Sequence, residues 1–236
     1  MAYTTINKST DYFNTKLYTG NGSTNAITGV GFQPDWTWIK SRDYSDSHSV
    51  YDAVRGVTKR IRPNHTNAEQ TLANSLTAFG SDGFTVGSDG QDNSNSQTYA
   101  SWNWKANGAG SANTDGDINS TVSVNQTAGF SIVKFTGNLS NSTVGHGLGA
   151  TPSMIIFKSL AGTTDWRTYN KSVGNGSYLK LNTTSASTSS SNTFNNTSPT
   201  STVFSIGSSD STNPSSDMIA YCFAEKQGFS KFGSYT

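Results

Sequence analysis

Gly31-Phe32-Gln33-Pro34-Asp35-Trp36-Thr37-Trp38-Ile39-Lys40-Ser41 is the stretch that decides the fold. Pro34 punctuates it, and Trp36 and Trp38 then stand at alternate positions, the two-residue period of a β-strand. The same arrangement returns 118 residues later as Gly149-Ala150-Thr151-Pro152-Ser153-Met154-Ile155-Ile156-Phe157-Lys158-Ser159, with the proline, the apolar run and the Lys-Ser pair in register. Working outward, Tyr18-Thr19-Gly20-Asn21 recurs as Phe135-Thr136-Gly137-Asn138, and Tyr51-Asp52 as Tyr169-Asn170. Further on, Phe84-Thr85-Val86-Gly87 matches Phe204-Ser205-Ile206-Gly207, and Trp102-Asn103-Trp104 matches Tyr221-Cys222-Phe223. Ordered matches at nearly constant spacing predict two copies of one unit, and the drift in offset falls in Gly/Ser/Asn-rich stretches where loops absorb insertions.

Within each copy the pattern is β. Phe130 to Phe135, Met154 to Phe157, Val203 to Ile206 and Ile219 to Phe223 are short apolar or alternating runs bounded by turn residues. The expected fold is all-β, two tandem β-sandwich or jelly-roll-like units joined by a Gly/Ser/Asn linker. The boundaries follow as an N-terminal arm over 1–10, a first repeat over 11–105, a linker and lead-in strand over 106–128, and a second repeat over 129–236. One segment reads differently: Asn67 to Leu76 is rich in helix-forming residues after a good N-cap, and predicts a short surface helix. A partial third copy marks the repeat edge, since Tyr12 to Thr19 resembles Gly129 to Thr136 and again Gly228 to Thr236. Tyr12, Phe13, Phe229, Phe232 and Tyr235 are therefore candidate assembly-strand residues that add a strand to the next unit's sheet, within the chain or between subunits, and a homo-oligomer is expected.

Composition narrows the function classes. Of the 236 residues 13% are charged and the formal net charge is +1, so no basic surface calls for nucleic acid. The densest basic run, Arg55, Lys59, Arg60 and Arg62, reads as a solvated loop or helix end. Aromatic residues at 11%, spread along the chain, supply the apolar area that disordered polar segments lack. The sequence begins without the basic and apolar regions of a signal peptide, and no run approaches a membrane span, so a cytoplasmic origin without membrane insertion is expected. The single cysteine, Cys222, sits in the apolar run Met218 to Ala224 and reads as an inert packed thiol.

Each candidate for chemistry has a plainer reading. His146, in Gly145-His146-Gly147, has no nucleophile or orienting carboxylate at a recognisable spacing and reads as a turn residue; His48 and His65 form no metal spacing. Asp82, Asp89, Asp92, Asp115 and Asp117 offer the hard oxygens calcium prefers, but not in the EF-hand register, and read as turn formers. No catalytic residue, cofactor or metal ligand is assigned. Trp36, Trp38, Trp102 and Trp104 are replaced in the second copy by Met154, Ile156, Tyr221 and Phe223, which favours core over a sugar-stacking platform. The candidate surface-binding rings are Tyr44, Tyr51, Trp166 and Tyr169, which sit in polar segments.

The stretches Asp11 to Gly22, Gly31 to Lys40, Ser81-Asp82-Gly83-Phe84, Trp102-Asn103-Trp104-Lys105 and His146-Gly147-Leu148-Gly149 together resemble repeated domains in virion proteins of tailed phages, especially marine phages of cyanobacteria and related hosts. The resemblance covers nearly the whole chain. It implies a virion structural protein at the particle surface, assembled in the host cytoplasm, with other virion proteins as partners and a host surface glycan as a candidate ligand. The chain has no heptad shaft, so a capsid-surface decoration, knob or short fibre that meets the host is the first expectation. A tail-fibre or receptor-binding lectin-like module is the alternative. A polysaccharide depolymerase comes last, because it needs paired carboxylates at a controlled separation.

Overall fold

The computed structural model describes residues 3–234, and Tyr235 lies outside them. The first half runs through β1 (Phe13–Thr19), β2 (Asn25–Thr28), β3 (Trp36–Ser41), β4 (Ser49–Asp52), β5 (Lys59–Arg60), β6 (Gln70–Thr71), β7 (Leu76–Gly80), β8 (Gly83–Val86), the one-turn helix α1 (Gly90–Asn93) and β9 (Thr98–Trp104). The second runs through β10 (Ser111–Asn113), β11 (Ser120–Asn125), β12 (Phe130–Thr136), β13 (Ser142–Gly145), β14 (Met154–Ser159), β15 (Arg167–Asn170), β16 (Ser177–Lys180), β17 (Thr188–Ser189), β18 (Val203–Ile206) and β19 (Asp217–Phe223). The chain is all-β, and no described helix is long and apolar enough to cross a membrane.

One sheet has the order β1-β9-β3-β4, and the same order recurs as β12-β19-β14-β15 inside a longer sheet that β11 and β10 extend at one side and β16 and β17 at the other. Register recurs with it. Trp36 faces Asp52 and Trp104 as Met154 faces Asn170 and Phe223, and Phe13 faces Trp104 as Phe130 faces Phe223. Above each of these sheets lies a smaller one, β2-β8-β7 in the first half and β13-β18 in the second.

Alternation along the strands then sorts side chains into three cores. Ile39, Tyr51 and Tyr99 turn toward Phe84 and Val86 of the first small sheet. Ile155, Phe157 and Val133 turn toward Phe204 and Ile206 of the second. The opposite faces of both large sheets meet: Trp36 and Val50 pack with Phe130, Ile132, Ile156 and Tyr221. The result is two sandwiches stacked back to back, four layers deep, with the large sheets in the middle.

Polar devices repeat as closely as the strands. The buried Asn93 side chain reaches Asn21 Oδ1 (3.0 Å) and the carbonyls of Ser23 and Gly87, and its Oδ1 accepts from the Asn21 amide. The buried Asn213 reaches Asn138 Oδ1 (3.2 Å) and the carbonyls of Ser140 and Gly207, and accepts from the Asn138 amide. Each knot ties the turn after the first strand to the chain entering the last. Gly20 and Gly137 sit beside these knots, where a Cβ would collide with the carbonyl oxygens of Ser94 and Pro214. Lys40 donates to the carbonyls of Ser41 and Tyr44, and Lys158 to those of Ser159 and Gly162, closing the same turn in each half.

One expectation fails here. Asn67 to Leu76 is not helical: Gln70 and Thr71 pair with Arg60 and Lys59, and Leu76 opens β7 at the buried edge of the first core. Local helix propensity is worth fractions of a kilocalorie per residue, and strand pairing plus a buried leucine outweighs it. The linker and lead-in stretch over 106–128 carries β10 and β11, which pair with each other, β10 through small polar residues that give no apolar period.

Candidate functional site

The seam between the large sheets gathers four of the chain's five tryptophans, Trp36, Trp38, Trp104 and Trp166. Trp36 is buried, its ring 4.6 Å from Tyr221, 5.6 Å from Phe130 and 4.3 Å from Trp104 between centroids. Here Trp36 lies on the first half's inward face because β3 alternates Trp/Thr/Trp/Ile, and Tyr221 on the second's because β19 alternates in the matching phase. Toward one end of the seam the packing opens into a cavity of about 460 Å³. Its walls include Phe13, Trp38, Trp104, Met154, Phe229 and Phe232; among the described lining residues the hydroxyls are those of Thr168 and Ser230, the other polar side-chain atoms are indole nitrogens, and no side chain is acidic or basic. It suits an apolar body, and no carboxylate, imidazole or ammonium lines it among the described residues.

Alongside the rings runs a buried polar cluster that also joins the halves. Tyr221 donates its hydroxyl to Asp52 Oδ2 at 2.7 Å, and Asp52 pairs with the buried Arg55 guanidinium. Burial raises the Tyr221 pKa well above the usual phenol value, so the ring remains a donor. Arg55 also donates to Glu69 Oε2 (3.1 Å) and to the carbonyls of Lys59 and Val50. A second link is Trp166, whose indole N–H donates to the carbonyls of Arg62 (3.0 Å) and His65 (3.1 Å) in the other half. The backbone amide of Glu69 donates to Leu160 O at 2.9 Å across the same boundary.

Three of the four rings expected at the surface are therefore buried. Tyr51 is fully enclosed, its hydroxyl donating to Asp92; Trp166 is 1% exposed; Tyr169 packs edge-on to Phe194. Their sequence neighbours are polar because β4 and β15 bury both faces around ion pairs and hydroxyls, a circumstance local composition does not register. Tyr44 alone is exposed, at 59%, in the turn held by Lys40. Of the expected assembly-strand residues, Tyr12 packs edge-on to Phe229 at 6.2 Å and Phe232 lies 5.9 Å from Phe223, but 224–234 form no strand: Lys226 and Ser230 bond each other and close a turn there.

The other groups with chemical potential are built into the scaffold. Asp82 accepts from the amides of Gly29 and Gly31, and these bonds lower its pKa. Asp89 caps α1 and pairs with Arg60, while Asp117 accepts from Thr143. The basic run is not a solvated patch, since Arg55 and Arg60 are buried against carboxylates and Arg62 donates to Gln91. Burial lowers the His146 pKa, and its Nδ1 accepts from the Leu148 amide, the mark of a neutral turn histidine. His48 accepts from Trp38 at 2.7 Å, and burial likewise lowers its pKa. The Cys222 thiol is buried, which raises its pKa and keeps it protonated.

Fold and seam together define a class: an all-β protein of two stacked sandwiches whose aromatic and ionic residues serve the joint between them. The chain belongs to the domain of unknown function DUF7483, whose family model matches residues 8–236 and so takes in both halves and the seam. No curated protein and no solved structure matches the chain.

Proposed function

We propose that this chain is a structural protein on the surface of a tailed-phage particle, a capsid decoration, knob or short fibre that meets the host without chemical turnover. The observation that carries the reading is the seam. A buried Asp52–Arg55–Tyr221 cluster beside stacked rings turns two sandwiches into one stiff block, which suits a part that transmits load or holds a neighbour at fixed spacing. The resemblance of its turn motifs to phage virion repeats supports the setting. A receptor-binding module is the second reading, favoured by the half-open cavity whose Trp38, Trp104 and Phe13 rings could stack on a ligand. Sugar recognition would add hydrogen bonds that this cavity, with Thr168 and Ser230 as its hydroxyl side chains, supplies sparingly.

Electron microscopy of the source particle with antibody against the chain tests both readings. Label on capsomers supports decoration, and label on the tail apparatus supports the receptor-binding module. Particles that lack the chain altogether refute both.

A further inference from the structure

The two large sheets differ at one edge. In the second half, β12 is flanked on its outer side by β11, antiparallel from Ser120 opposite Phe135 to Asn125 opposite Phe130. The equivalent strand of the first half, β1, ends its sheet and has β9 alone as neighbour. The phase of its bare edge can be read from its ends. Tyr12 O accepts from the Lys105 amide at 2.9 Å and the Gly20 amide donates to Gln97 O at 2.8 Å, so even-numbered residues between them spend their backbone groups on β9. The N–H and C=O groups of Phe13, Thr15, Leu17 and Thr19 point outward; no backbone group of a described residue bonds them, and the Thr19 carbonyl spends one of its two lone pairs on the Asn25 side chain at 3.1 Å. Protection is slight: Lys16 is the one charged residue in β1, the strand holds no proline and no bulge, and Leu17 on this edge is 60% exposed.

We propose that a second copy of this chain covers the edge, β1 pairing with β1 about a two-fold axis to form one continuous sheet through both molecules. The strand that already lies on β12 is antiparallel, and a two-fold axis brings two β1 strands together in that same orientation. Side chains choose the register. An axis through Lys16 would set two ammonium groups opposite each other, which disfavours pairing. An axis through Leu17 sets the two exposed leucines opposite, Thr15 opposite Thr19, and Lys16 opposite the Tyr18 ring, while Thr15, Leu17 and Thr19 each exchange backbone bonds with the other copy. The inference goes beyond the virion reading and holds for the chain in solution, whatever particle it joins.

Sedimentation velocity across a dilution series of the purified chain should show a species of twice the 25.1 kDa chain mass. Leu17→Lys, at a position too exposed to carry the fold, should raise the dissociation constant about ten-fold or more while leaving the circular dichroism spectrum in place. Register is read by cross-linking. Leu17→Cys should form a covalent dimer under mild oxidation, because directly opposed residues with Cα atoms about 5.5 Å apart lie within disulfide reach. Thr15→Cys, which faces Thr19, should not. A wild type that remains monomeric at every concentration overturns the proposal, as does a dimer indifferent to Leu17→Lys, or one in which Thr15→Cys cross-links as readily as Leu17→Cys.

Discussion

The two halves share strand order, register, the Asn93 and Asn213 knots and the Lys40 and Lys158 turn locks, yet they fill the seam with different side chains. Where the first half sets Trp36 and Trp104, the second sets Met154 and Phe223. The shared elements are those that fix backbone shape: a carboxamide that satisfies three carbonyl or amide groups has no substitute of the same geometry, and a glycine pressed on a carbonyl tolerates no Cβ. Seam residues need only fill volume against one another, so indole, phenyl and thioether interchange there. Ionic groups follow the same division. Asp52 sits opposite Trp36 and binds Arg55 and Tyr221, whereas its counterpart Asn170 bonds the Ser172 amide in its own turn. The first half thus supplies the charge of the joint and the second the hydroxyl that meets it.

The largest effect should come from removing the ring that both halves share. Trp36→Ala should cost about 4 kcal/mol in denaturant titration, since it empties the buried centre of the seam. Met154→Ala, at the matching but partly exposed position, should cost about half as much. Equal losses would mean that the seam is not centred on the indole.

The asparagine knots sharpen the comparison from the other side. Asn93→Ala and Asn213→Ala should each cost about 3 kcal/mol, because each removes a buried carboxamide that holds several groups at once, among them the buried carbonyl of Gly87 or Gly207. The two costs should agree to within about 1 kcal/mol. A knot that can be lost cheaply in one half would show that the halves do not depend on the same backbone lock.

A smaller difference separates the lysines. Lys158 is fully buried and Lys40 only half-buried. Burial lowers the Lys158 pKa to about 8. Between that value and the ordinary lysine value the unfolded chain holds a proton that the folded chain has released, so stability should rise with pH from about 8 to 10, by about 2 kcal/mol. Below pH 8 both states are protonated and the slope from this group vanishes. Lys158→Met should abolish the rise, and Lys40→Met should leave it. A rise that survives Lys158→Met would assign it elsewhere.

Much of this architecture was legible in the residues. The continuous apolar run Met154 to Phe157 marks a strand buried on both faces, and the matched Pro, Lys-Ser and Gly-Asn positions set the phase of both halves. The seam was not legible, because Tyr221 and Asp52 meet across 169 positions of sequence. Trp166 shows the limit most clearly. Its neighbours Thr164, Asp165 and Arg167 suggested a wet loop, but its indole serves carbonyls more than a hundred residues away. Local composition reports the solvation of a segment's neighbours and says nothing of a cover contributed by the other half.

Differential scanning calorimetry of the intact chain tests the back-to-back seam most directly. Because Trp36, Tyr221, Asp52 and Arg55 bind the sandwiches into one body, the chain should unfold in a single transition whose calorimetric and van't Hoff enthalpies agree, and Trp36→Ala should move that whole transition to lower temperature. Two resolved transitions in the wild-type chain, with Trp36→Ala shifting one and leaving the other in place, would contradict it.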